Sequence, residues 1–399
     1  MEPPEAANTP QQNANRSTPR ISVIPLVVVA LVIIATGVWF KGLGSYLLQR
    51  VAYTPAPPTF SGSSESLQQT VIVPTLDSPC PPNKNVIWCS SFQLAWNEVR
   101  DKVIGAPLQV VGAEEIAARL NQAKQSTLDL EPSSFYAAGS RIGEGIIAKI
   151  KKDMAARFPS HPLPDLDQYG DAGGGILAYS YLTANVAFKY PFLQARKPFA
   201  FTDSRGGKAN VDAFGLWGAR GPQYRNMREQ VAVLYSRRVP DKRALKEYAI
   251  DLCRHSQPYE VVVAVVEPKG SLAETLEHVR LQVEQLRTSP YAEGVELGER
   301  DILAVPQMTW RIDRRFRELI GKLVANANPA MPIVEAMQTV QFRLDRCGAA
   351  VESEAKLSVK ALPREFLFNR PFLVYMQKRG AEQPFFVMWV DNAELLTRK

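Results

Sequence analysis

The chain has 399 residues, 46% of them hydrophobic and 22% charged, with a formal net charge of +7. That composition belongs to a folded protein with a sizeable core, one large domain or two ordinary ones, and excludes an intrinsically disordered chain. The basic excess is modest, and no Lys/Arg stripe interleaved with aromatics runs along the chain, which excludes a nucleic-acid-binding protein.

Residues 1–20 form a short polar tail whose Glu2, Glu5, Arg16 and Arg20 sum to zero. Residues 21–40, ISVIPLVVVALVIIATGVWF, carry no charge and have the length of one bilayer-spanning helix. The run is longer than the core of a signal peptide and no clear Ala-x-Ala site follows it, so an uncleaved transmembrane anchor is expected rather than a cleaved leader. Arg16 and Arg20 before the run nearly balance Lys41 and Arg50 after it. The short tail on one side and the long folded part on the other point to a single-pass membrane protein with its C-terminal domain outside the cytoplasm, periplasmic or extracellular.

Residues 41–69 begin basic and become rich in Pro, Ser, Thr and Gly, the composition of a flexible tether, so the folded domain is expected over 70–399. VIVPTL reads as a strand. After the Pro-rich break at Pro79–Pro82, NVIWCSSFQLAWNEVRDKV reads as a short strand entering an amphipathic helix capped by Ser90 or Ser91. Helical patterns follow at Ala113–Ala123 and Ile142–Arg157, then a Pro- and Gly-rich loop at 158–176 and a strand from Leu177 toward Phe192. Further strand and helix patterns run through KPFAFTD, VDAFGLWG, QVAVLYS, YEVVVAVVEPKGSLAETLEHV and ILAVPQMTWRIDRRFRELIGKL.

No enzyme constellation appears. His161, His255 and His278 lack any metal-ligand spacing, and the glycines at 139–145 and 173–175 lack the context of a phosphate or dinucleotide loop and read as turns. No G-x-S-x-G elbow is present. The expectation is therefore no enzyme, no cofactor, no metal and no small-molecule substrate. Cys80, Cys89, Cys253 and Cys347 form no C-x-x-C pair; Cys80–Cys89 is the pair whose spacing invites a disulfide, and buried free thiols are an equal reading for the other two. Trp88, Trp96, Trp310, Phe372, Tyr375, Phe385, Phe386 and Trp389 read as the core of a large sheet.

The last sixty residues carry the most organised pattern. VQFRL at 340–344 leads into Asp345-Arg346-Cys347-Gly348. Ala349, Val351, Ser353, Ala355, Leu357, Val359 and Ala361 then alternate with mostly charged neighbours, the periodicity of a strand, which Pro363 stops. Burying Val351, Leu357 and Val359 contributes about 5–9 kcal/mol, and net hydrogen bonding adds about 1 kcal/mol per residue. Fixing the backbone costs about 1–2 kcal/mol per residue. The sum lies near zero, so the segment is balanced between lying in a sheet and staying outside it. FNRPFLVYMQKRG and PFFVMWVDN close the chain as a strand pair.

This order resembles the C-terminal end of a serpin. In that family a sheet strand ends in an acidic-Gly hinge, passes into an exposed reactive loop and returns as a Phe-x-x-Pro-Phe strand paired with a final hydrophobic strand. Asp345, Gly348, Phe368, Asn369, Pro371, Phe372, Phe385, Val390 and Asn392 match. Asn85 and Ser90 match loosely the family's Asn-x-x-x-Ser before its long helix, Asn185, Phe188 and Lys189 match a strand end, and Val305-Pro306, Phe316 and Leu319 stand in the expected places. Tyr190-Pro191-Phe192 replaces the family's Gly-x-Trp, where the loop first enters the sheet. The resemblance implies an α+β, serpin-like fold over 70–399, with large mixed β-sheets and helices packed around them, and the apolar run at 21–40 sets one transmembrane helix before it.

It also implies a loop hinge at Gly348, Ala349 and Ala350 and a reactive-loop site at Lys360, Ala361 and Leu362: counting back from Phe368 gives Lys360, counting forward from Gly348 gives Leu362. Two functions follow. One is a non-inhibitory scaffold that binds a protein partner, with 349–361 already in its sheet. The other is a serine or cysteine protease inhibitor acting through a reactive loop at about 349–365. Family inhibitors carry small residues after the hinge glycine, whereas Val351, Glu352 and Glu354 stand here, which favours the scaffold.

Overall fold

The structure, a computed structural model, describes residues 58–143, 145–170, 174–185, 187–217, 221–238, 245–287, 296–346 and 364–398. Both the apolar run at 21–40 and the segment 349–362 lie outside the described residues. Among the described residues no helix is long and apolar enough to cross a membrane.

Three sheets and a two-stranded ribbon organise the described chain. The large sheet holds β1 (Phe60–Ser63), β15 (Met308–Arg315), β17 (Met331–Leu344), β6 (Ile176–Asn185) and β5 (Phe135–Arg141), with β16 (Leu323–Val324) and β4 (Val110–Val111) extending one end. A second seven-stranded sheet runs in the order β11 (Ala232–Arg238), β12 (Leu245–Asp251), β13 (Tyr259–Val265), β19 (Phe372–Lys378), β20 (Pro384–Val390), β3 (Asn85–Cys89) and β2 (Thr70–Ile72). A smaller sheet joins β18 (Glu365–Leu367), β14 (Ile302–Pro306), β10 (Ala213–Trp217) and β7 (Leu193–Gln194), and β8 (Phe199–Thr202) pairs with β9 (Lys208–Val211).

Strand alternation assigns the faces. In β3, Ile87 and Cys89 point into the core shared with the large sheet, while Val86 and Trp88 pack on the opposite side. Trp310 and Phe342 of the large sheet meet Phe386 of the second; the Phe342 and Phe386 rings stack with centroids 4.6 Å apart. All the aromatics assigned above to the sheet core are buried.

Helix α1 (Ser90–Glu98) fills the space behind the lower half of the large sheet together with α2 (Glu114–Gln122). The expected Ser90/Ser91 cap does not form: Cys89 is the N-cap residue, with no side-chain cap bond, because the Ser91 hydroxyl is used inside the core. Gly139, read from the sequence as part of a turn, is a β5 residue. A Cβ there meets Val99 Cγ2 at 2.5 Å and the Ala95 carbonyl at 2.7 Å, so the missing side chain lets α1 approach the sheet.

Helix α3 (Ile146–Arg157) covers the outer face, presenting Ile146, Ile147, Ile150 and Met154 to Tyr136, Tyr179, Tyr181 and Met337. Residues 158–170 continue as a strap with one 3-10 turn, as the Pro and Gly content implied. Two more helices complete the set, the short α4 (Arg225–Glu229) and the longer α5 (Leu272–Arg287), the latter on the far face of the second sheet.

Two expectations need correction. Folded chain begins before Gln69, since Phe60–Ser63 pair in parallel with Trp310–Asp313. Cys80, Cys89 and Cys253 are free. Cys80 packs on the helix side of the second sheet and Cys89 on the other, so the sheet itself separates the two thiols.

Candidate functional site at the seam of the large sheet

Strands β6 and β17 run parallel and pair from Ile333↔Ile176 to Arg343↔Asn185, with one bulge between Ile333 and Glu335. On its other flank β17 pairs antiparallel with β15 from Met337 to Leu344 and with β16 at Met331 and Pro332. Both flanks of β17 are therefore filled. The scaffold expectation that 349–361 is already in the sheet falls on residues outside the described ones. A strand that follows β17 through a tight turn runs antiparallel to it, and hence antiparallel to β6 as well, so one added strand can satisfy both edges only where these two part.

Beneath the seam lies a buried polar cluster. Gln338 Nε2 donates to the Cys89 carbonyl at 3.1 Å and to Ser91 Oγ at 3.0 Å, and Ser91 Oγ donates to Ser180 Oγ at 3.3 Å. Gln338 Oε1 and Ser90 Oγ are buried without a partner. These side chains come from β17, β6 and the start of α1, so the cluster spans the seam. Burial pushes the Cys89 thiol up to about 12, which keeps it protonated and unreactive.

Above the seam lies an ionic clamp. Glu335 of β17 is fully buried; its Oε2 accepts the Tyr169 hydroxyl at 2.6 Å and faces Arg315 Nε at 3.1 Å, and its Oε1 accepts the Ala336 N–H at 3.0 Å. Tyr169 belongs to the strap and Arg315 to β15, so one carboxylate ties three segments together. Burial first, and then Glu335, raises the Tyr169 hydroxyl to about 12. Phe158 and His161 of the strap pack on Tyr181, at 4.6 and 5.3 Å between centroids, and Tyr181 donates to Gln341 Oε1 at 3.3 Å. Burial, followed by Arg311, holds His161 below its usual value.

Of the residues singled out in the sequence, Asp345 closes β17 through an ion pair with Arg343. Asn85 and Asn392, matched separately to the family pattern, bond each other at 2.9 Å, and Asn85 Oδ1 also accepts the N–H groups of Asp391 and Asn392. Gly348, Ala349, Ala350, Lys360, Ala361 and Leu362 lie outside the described residues. Glu335, Gln338, Ser91, Ser180, Tyr169 and Arg315 were missed. Glu335 and Gln338 had a signal: they are the polar interruptions in the strand text MPIVEAMQTVQFRL. Among the described residues no group of three or more His, Cys, Asp and Glu side chains could hold a metal ion.

No protein-family model matches the chain, and no curated protein matches it. Among solved structures, native protease nexin-1 with heparin is 10% identical with a TM-score of 0.46, over 78% of this chain and 93% of that one. Maspin is 9% identical with a TM-score of 0.47, over 77% and 92%. The connectivity itself answers the expectation: β17 ends at Leu344, the chain returns as β18, and the Phe372 strand pairs with the Pro384–Val390 strand. That strand order is the one expected from the C-terminal sequence.

Proposed function

We propose that the chain is a membrane-anchored, serpin-like protein-binding domain, held outside the cytoplasm by residues 21–40, and that it works as a non-inhibitory scaffold. The observation that carries the non-inhibitory reading is the Glu335 clamp. A strand entering between β6 and β17 must part them under a strap pinned to β17 by a buried carboxylate with two partners. Parting them breaks the Tyr169 hydrogen bond to that carboxylate, while Arg315, on the β15 side of the seam, stays with it; the buried charge is left one donor short, a cost of about 1.5–3 kcal/mol.

The register adds a second obstacle. A segment that turns at 345–348 and pairs with β17 sets Ala349 opposite Leu344, Val351 opposite Phe342 and Lys356 opposite Met337. Met337 packs beneath α3 with Tyr179 and Ile150. Insertion thus carries an ammonium group into an apolar cluster. The expected partner is a protein; nucleic acid and small-molecule substrates have no place in this reading.

The second reading, a serine or cysteine protease inhibitor with its site at Lys360, Ala361 and Leu362, is favoured by the parallel seam, which offers two matching edges to an antiparallel strand. Incubation with trypsin-like and papain-like proteases separates the two. The scaffold is cleaved or ignored, whereas the inhibitor leaves a covalent protease complex that survives detergent.

A further inference from the structure

We infer that the end of the domain where β17 finishes is a docking surface for anionic lipid headgroups, those of the bilayer that residues 21–40 enter; this rests on the anchor reading above. The chain enters the fold at that end. Phe60 pairs with Trp310, which pairs with Phe342, so β1 lies beside the last part of β17. The Thr59 N–H donates to the Thr309 carbonyl at 2.6 Å, and the Thr59 hydroxyl lies 3.2 Å from that of Thr397.

Residues 41–57 alone separate the apolar run from Pro58, and a chain of that length reaches at most about 60 Å. The other end of β17, at Met331, is a further ~40 Å away at about 3.3 Å per residue. A flexible chain of that length spans about 20–25 Å on average, less than the distance between the two ends, so the attached end is the one kept nearer the bilayer.

Charge points the same way. Lys189, Arg196, Lys197 and Arg398 are exposed. Backbone bonds put them around this end: the Phe192 N–H donates to the Arg346 carbonyl, the Ala195 N–H to the Ala213 carbonyl and the Gln307 N–H to the Asp212 carbonyl, and Val211 bridges to Arg398. Among the described residues, the same bonds place the carboxylates of Asp345, held by Arg343, and Asp212, beside Thr397, at this end. The basic groups outnumber them, the arrangement that an anionic surface attracts within a screening length. Residues 347–363 also depart from this end, so a protein that engages them is met at the bilayer surface.

The test uses the full chain reconstituted in vesicles of phosphatidylcholine with or without phosphatidylglycerol, with Cys80→Ser and Cys347→Ser so that the other two thiols stay buried. A donor dye is placed at Pro198→Cys or at Leu323→Cys, both exposed, and energy transfer to a headgroup-labelled lipid is measured. Transfer is expected to be several-fold stronger from position 198 in anionic vesicles, and the difference is expected to shrink with added salt or in the fourfold variant Lys189→Glu, Arg196→Glu, Lys197→Glu, Arg398→Glu. Failure of the chain to float with vesicles overturns the anchor reading and this proposal together. Flotation with equal or stronger transfer from position 323 overturns the docking alone. A near end whose proximity ignores lipid charge, salt and the fourfold variant leaves the tether as the sole cause and also overturns the docking.

Discussion

Tyr169 and Glu335, 166 residues apart, meet in a 2.6 Å hydrogen bond that fastens the strap after α3 to the centre of β17. The carboxylate is fully buried, while its other partner Arg315 is 38% exposed and can turn to water when the acid is removed. Glu335→Gln is therefore expected to cost about 1–3 kcal/mol of unfolding free energy and Tyr169→Phe about 1 kcal/mol. Urea unfolding measures both, and a Glu335→Gln change within about 0.5 kcal/mol of the parent shows that the clamp holds nothing.

The same strap gives stability a pH window. His161 is held below its usual value of 6.5, chiefly by burial, so its contribution is present above that pH and is lost as pH falls and the ring charges. Tyr169 is raised from 10.0 to about 12, so its contribution is present below pH 10 and is lost as pH rises toward 12. Hydrogen-exchange protection factors at 158–170, corrected for the intrinsic pH dependence of amide exchange, should be largest between these limits and should fall on both sides. His161→Phe should remove the acid limb and leave the alkaline one.

Gly139→Ala places a methyl group 2.7 Å from the Ala95 carbonyl and against Val99. The backbone oxygen cannot yield as a side chain does, so the loss is expected at the upper end of about 1–3 kcal/mol. Thermal unfolding checks it, with Gly105→Ala as a poor control because Gly105 has φ +73, and Gly174→Ala, which meets nothing within 4 Å, as the proper one.

Thiol chemistry follows from the faces of the second sheet. In native protein Cys89 and Cys253 are buried and resist thiol reagents, with Cys80, half-buried, reacting slowly. Denatured but unreduced protein should yield all three as free thiols. A Cys80–Cys89 linked peptide pair in non-reducing mass spectrometry contradicts the assignment.

The C-terminal strands were legible because PFFVMWV and FLVYMQK are apolar runs, because the aromatic-Pro pattern stands before Phe372, and because Asp345 marks the end of the long strand that precedes them. Strand β1 was not. FSGS has neither bulk nor clear alternation, and its place comes from backbone pairing with β15, which leaves no mark in side chains. Gly139 looked like a turn because the need for it lies in α1, some forty residues earlier. The clamp and the polar cluster were half legible: Glu335 and Gln338 stand out in a hydrophobic strand, but Tyr169, Arg315, Ser91 and Ser180 are ordinary residues until the fold delivers them. The Cys80–Cys89 expectation failed for the same reason, since spacing does not say which face of a strand a thiol takes.

The central claim is that the seam between β6 and β17 stays closed, and the melting temperature before and after cleavage within 347–363 tests it most directly. Trypsin acting at Lys356 or Lys360 frees one end of the segment, and insertion of the cut strand adds a full ladder to the large sheet. With the Glu335 clamp in place and Lys356 unable to enter beneath α3, the account predicts a cleaved domain whose melting temperature is unchanged or lower. A sharp rise after cleavage means that the strand has entered the seam, and contradicts it.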